Sequence, residues 1–114
     1  MSTFKLDYER SERPGEICVV KLHGKLALET VNGFITQLRA EPAQRLILDM
    51  SEVSFLDSAG MGALVQLMVH RRNQQKPFAL AALTPQAIAV MQVSGLVKLM
   101  PTFPAVDEAT ASLR

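Results

Sequence analysis

The sequence predicts an α/β fold, with a mixed, mostly parallel sheet of about five strands and about four helices in the order β-β-α-β-α-β-α-β-α. Three observations predict it. Short apolar or alternating runs of strand length recur along the 114 residues. Stretches with helical apolar spacing separate the later runs, and strands joined through helices run parallel by right-handed crossovers. The first two runs are joined instead by Pro14-Gly15, a turn signal that makes them an antiparallel pair. The length suits one domain with one core, residues 1–114.

Phe4, Leu6 and Tyr8 alternate with Lys5, Asp7 and Glu9, the period of a half-buried strand. Ile17 to Leu22 is β-branched and apolar, a second strand that Gly24 ends. Val31, Phe34, Ile35 and Leu38 share one helix face, so a helix is expected from about Leu28 to Ala40, closed by Glu41-Pro42. Leu46 to Met50 is apolar on consecutive positions, as a strand covered on both faces would be. The longest helix follows Ser58 and carries Met61, Leu64, Val65, Leu67 and Met68. Its last turns hold His70, Arg71, Arg72 and Lys76, which suit the negative end of the helix dipole and read as a solvated end. Phe78 to Leu83 is the next strand. Thr84-Pro85 starts a third helix with a capping hydroxyl and a proline at the first helical position, and Gly95 ends it. Leu96 to Phe103 holds a short strand that Pro101 places at a sheet edge. Val106, Ala109 and Leu113 make a last short helix.

Bulk composition narrows the function classes. A net charge of +1 supplies no field for nucleic acid or an anionic membrane. With no Trp, one Tyr and five Phe there is little for base stacking. The one cysteine, Cys18, lies in an apolar run and reads as an inert buried thiol. Neither a signal-peptide core nor an apolar run of spanning length is present, so a small cytoplasmic domain without membrane insertion is expected.

The informative stretch is Val53-Ser54-Phe55-Leu56-Asp57-Ser58-Ala59-Gly60-Met61-Gly62. Asp and Ser are helix-capping residue types. Gly60 and Gly62 weaken the first turn of the helix they open, which calls for close packing on the sheet or for a partner that approaches the backbone. Ser58 has two readings. It is a helix cap, or it is a modifiable hydroxyl at a helix start, where free N–H groups favour an anion. A nucleophilic Ser58 lacks a base. His70 lies twelve residues along the same helix, about 18 Å away at 1.5 Å per residue, and no nucleophile-elbow glycine pattern surrounds the serine. Phosphate-loop and metal-binding spacings are absent, so no cofactor or metal is expected.

These residues resemble the signature of the STAS domain, specifically of the bacterial anti-sigma-factor antagonists. In that signature an apolar strand leads into Asp-Ser-(Ser/Thr/Ala)-Gly-(Leu/Met)-Gly at a helix start. Val20-Lys-Leu-His-Gly24, Leu46-Ile-Leu-Asp-Met50 and Val93-Ser-Gly-Leu-Val-Lys98 resemble other parts of the same family, in order and over nearly the whole chain. The resemblance implies a STAS fold and a partner-switching mechanism. The unphosphorylated antagonist binds an anti-sigma factor that is also a serine kinase, phosphorylation of Ser58 releases it, and a phosphatase resets it. ATP belongs to the kinase. The implied partner surface is Asp57, Ser58, Ala59, Gly60, Met61 and Gly62, with Leu26 and Ala27 from the segment after the second strand. Many members have an acid where this chain has Ala27, and Ala59 replaces a common second hydroxyl, which leaves Ser58 as the single acceptor. The rival reading is an accessory STAS subunit of a membrane transport complex, with Ser58 only a helix cap. A serine hydrolase is the weakest of the three.

Overall fold

The computed structural model describes residues 4–11 and 16–114, so the Pro14-Gly15 turn lies outside the described residues. The strands are β1 (Phe4–Arg10), β2 (Ile17–Leu26), β3 (Arg45–Asp49), β4 (Val53–Leu56), β5 (Phe78–Ala81) and β6 (Thr102–Phe103). The helices are α1 (Val31–Arg39), α2 (Ser58–Asn73), α3 (Pro85–Ser94) and α4 (Val106–Leu113), with a 3-10 turn at Leu96–Lys98. The sheet order is β1-β2-β3-β5-β6, with β4 also paired to β2. Among the described residues β1 and β2 pair antiparallel, and the other strand pairs are parallel. The mixed, mostly parallel α/β architecture is the one the sequence predicts.

Alternation along the strands sorts the core into two faces. Cys18, Val20 and Leu22 of β2 and Leu46 and Leu48 of β3 pack with Phe34 and Leu38 of α1, Leu64 and Leu67 of α2, and Met91 of α3. Ile17, Ile47, Ala79 and Ala81 face the other way, against Ala109 of α4. The central strand β3 is therefore buried on both sides, as its uninterrupted apolar run required.

Four details depart from the sequence expectation. Val53–Leu56 forms a sixth strand, too short and too polar at Ser54 to stand out by pattern. Gly24 does not end β2. It takes a positive φ of 98°, the register with β4 shifts between Gly24 and Lys25, and the strand continues to Leu26. The first helix begins at Val31 rather than Leu28, because Thr30 Oγ1 accepts the Ala27 N–H at 3.0 Å and folds the preceding residues into a turn. Arg71 is not part of a solvated helix end but is 1% exposed, in phase with Leu64, Leu67 and Met68.

The predicted caps and edge hold. Thr84 Oγ1 accepts the Ala87 N–H at 3.2 Å, Gly95 is left-handed at φ 77°, and β6 is the edge strand just after Pro101. Glu41, behind α1, is also buried. It takes two hydrogen bonds from Arg10 at 2.6 and 2.7 Å and one from the Ala43 N–H at 2.9 Å. The Cys18 thiol is buried and pushed up to about 11, first by burial and then by the Glu41 charge.

Candidate functional site

The site is built where β2, β4 and α2 meet. The continuation of β2 past Gly24 sets Leu26 beside Leu56 at the end of β4. From there the chain turns into α2 through Asp57, which is extended at φ −111° and ψ −174°. Its carboxylate makes two separate connections. Oδ1 accepts the Gly60 N–H at 2.8 Å and caps α2, and Oδ2 accepts the Leu28 N–H at 3.2 Å. One side chain therefore caps the start of α2 and ties down the turn between β2 and α1. The backbone adds the Asp57 N–H donating to Leu26 O at 3.4 Å and the Met61 N–H donating to Asp57 O at 2.9 Å.

Asp57, not Ser58, is the N-cap. Ser58 is the first helical residue and is exposed, and its hydroxyl takes no part in the side-chain hydrogen bonds among the described residues. The N–H groups of Ser58 and Ala59 occupy the first two helical positions, which have no intrahelical acceptor. A free hydroxyl thus stands at the positive end of a sixteen-residue helix.

The two glycines separate by cause. A Cβ at Gly60 would run into the Leu26 carbonyl and lie 2.8 Å from Leu56 Cδ1, so Gly60 permits the close approach of α2 to the strand ends. A Cβ at Gly62 would meet nothing within 4 Å. Internal packing explains the first glycine and not the second.

Of the residues implied as partner surface, Asp57, Ala59 and Met61 are half-buried, and Ser58 and Gly62 are exposed, all at one end of α2. Leu26 and Ala27 are 0% and 3% exposed and Gly60 is buried against Leu26, so these three form the floor of the site rather than its surface. The exposed side chain of that turn is Leu28, at 73%.

Sequence reasoning missed a second wall. Phe55, Met61, Val90 and Val93 line a shallow apolar groove with Asp57, Ser58 and Gln86, and Val93 is 91% exposed. The signal was present, since Val90 and Val93 are apolar and lie off the buried Ala87–Met91 stripe of α3. Both histidines are engaged elsewhere: His23 Nε2 lies 2.8 Å from Asp7 Oδ2, and His70 Nε2 lies 3.2 Å from Arg39 O. Among the described residues no cluster of three or more His, Cys, Asp or Glu stands at metal-holding spacing, and no helix is long and apolar enough to cross a membrane.

The STAS domain family model matches residues 8–109, and the chain belongs to that family. Solved structures of similar fold include an anti-sigma factor antagonist from Mycobacterium paratuberculosis, 23% identical, with a TM-score of 0.85 over 98% of this chain and 95% of that one. The Bacillus cell fate determinant SpoIIAA in its phosphorylated form is 22% identical, with a TM-score of 0.70 over 98% of this chain and 100% of that one. The murine anion transporter Slc26a9 is 23% identical, with a TM-score of 0.78 over 91% of this chain but only 18% of the transporter.

Proposed function

We propose that this protein is an anti-sigma-factor antagonist that works by partner switching. Unphosphorylated, it binds an anti-sigma factor that is also a serine kinase. That kinase phosphorylates Ser58, the complex separates, and a phosphatase restores the free hydroxyl. The observation that carries the reading is the exposed, uncommitted hydroxyl of Ser58 at the start of α2, beside an aspartate that fixes the backbone around it. A helix start accepts a phosphate, through free N–H groups and positive potential, without needing to unfold. The phosphate adds about −1.5 to −2 charges beside the Asp57 carboxylate, on a surface shared with Gly62, Met61 and the apolar groove. A partner surface matched to the neutral form then carries an unpaired, desolvated anion. Gly62, with no internal reason to lack a side chain, fits a partner that approaches the helix backbone.

Regulation rather than catalysis is also favoured by the two histidines, whose contacts with Asp7 and Arg39 leave neither to serve Ser58 as a base. A domain of a membrane transport complex is the second reading, supported by the likeness to part of the anion transporter Slc26a9. Incubation with the anti-sigma factor kinase of the same organism and ATP tests the proposal. A single phosphate on the peptide containing Ser58, lost in Ser58→Ala, is expected. Phosphate on another residue, or none while a transporter subunit co-purifies, overturns it in favour of the second reading.

A further inference from the structure

Strand β4 is four residues long and, among the described residues, has a strand neighbour on one side only, β2. Its outer side should present unpaired backbone groups, and at Leu56, itself 0% exposed, these would be buried and unsatisfied. They are not. The Leu56 N–H donates to Gln86 Oε1 at 3.0 Å, and Gln86 Nε2 donates to Leu56 O at 2.8 Å. A primary amide carries one acceptor and one donor side by side, the arrangement a neighbouring strand residue would offer. Gln86 is the second residue of α3, directly after Pro85, and that helix start is fixed by the Thr84 cap. The clamp is thus anchored on a rigid element and grips the residue immediately before Asp57.

We propose that Gln86 is the positioning residue of the Ser58 site, holding the lead-in strand so that Asp57 caps α2 and presents Ser58 in one geometry. Leu56 and Asp57 are bound from opposite sides, Leu56 by Gln86 of α3 and Asp57, through its N–H, by Leu26 of β2. Releasing the outer grip leaves the Asp57 carboxylate to hold Gly60 and Leu28 from a strand end that is free to move. The effect on phosphorylation rests on the function proposed above, whereas the effect on the backbone does not.

Two measurements on the full chain separate these. Amide hydrogen exchange by NMR compares wild type, Gln86→Ala, Gln86→Glu and Gln86→Asn. Glu keeps the shape and the acceptor but loses the donor, and Asn keeps both groups on a stem one methylene shorter. In Gln86→Ala, exchange at Leu56 and Gly60 is expected to rise about tenfold or more, and in Gln86→Glu, which still accepts the Leu56 N–H but no longer donates to the Leu56 carbonyl, it rises less, while Leu48 and Leu80 in the central strands keep their protection. Uniform loss across the sheet would make Gln86 merely structural, and unchanged exchange at Leu56 would remove the clamp. Steady-state phosphorylation by the kinase is the second measurement. Mispositioning predicts a fall in kcat of about tenfold with KM nearly constant. A change confined to KM would overturn the positioning role. If wild type is not phosphorylated at Ser58, the proposed function fails, and the exchange data still decide the clamp.

Discussion

Gly60 and Gly62 stand two residues apart in one helical turn, and they should answer an added methyl group in opposite ways. Gly60→Ala forces a carbon into the Leu26 carbonyl and against Leu56, neither of which has room to retreat in a fully buried site. A loss of about 2 kcal/mol or more is expected in urea unfolding. Gly62→Ala meets nothing, so it should raise stability by about 0.5–1 kcal/mol, the helix-propensity gain. If Gly62 serves a partner, the same stabilising change should weaken partner binding. Stability and affinity moving in opposite directions would mark the position as functional, and affinity rising with stability would contradict that role. In the sequence the two glycines look alike. What divides them is the path of β2, which no local pattern discloses.

The start of α2 depends on one carboxylate with two tasks. Asp57→Ala removes the cap, which ordinarily contributes about 1 kcal/mol, and also frees the Leu28 N–H. Faster amide exchange at both Gly60 and Leu28 is the expected signature. Asp57→Asn retains one acceptor oxygen and should lose less. Exchange that changes at Gly60 alone would mean that Asp57 does not hold the turn. The Asp-Ser pair was legible as a helix start because its residue types are capping types, but which of the two caps is settled by Asp57 being extended and Ser58 already helical. The third helix was legible in full, since Thr84, Pro85 and Gly95 are chemically specific signals. Strand β4 was not legible. Four residues of mixed polarity carry no period, and the strand exists because β2 runs past Gly24 to meet it and Gln86 closes its far side.

Across the whole molecule, the layers are tied at a point remote from Ser58. Arg10 of the edge strand β1 reaches Glu41 behind α1 in a two-bond pair whose acid is buried and whose base is about half exposed. The Arg10 guanidinium holds the Glu41 carboxyl below its ordinary value of 4.5. A carboxyl lowered in the folded state stabilises above that ordinary value, and the contribution is lost as pH falls through the lowered one. Stability should therefore be full at neutral pH and decline below about 4.5. Glu41→Gln should lower it by about 1–2 kcal/mol at pH 7 and flatten the acid decline, as read from urea midpoints against pH. An unchanged acid slope would show that another group carries it. Arg71, buried in the same core and shifted down by that burial, was misread as solvated because its charge outweighed its phase. Counting from Leu64 and Leu67 would have placed it inward. The gross topology was legible because helices alternate with apolar runs, whereas the groove wall of Phe55, Val90 and Val93 arises only when β4 and α3 are brought together.

Ser58, the proposed switch, lies exposed at the start of α2 and outside the core, so its phosphorylation should change recognition and leave the fold intact. The direct measurement is the affinity of the anti-sigma factor for this protein before and after stoichiometric phosphorylation, with circular dichroism recorded on both forms. Phosphorylation of Ser58 is expected to weaken binding at least about tenfold, or 1.4 kcal/mol, with unchanged dichroism. Equal affinity of the two forms, or binding lost only together with the fold, would contradict the account.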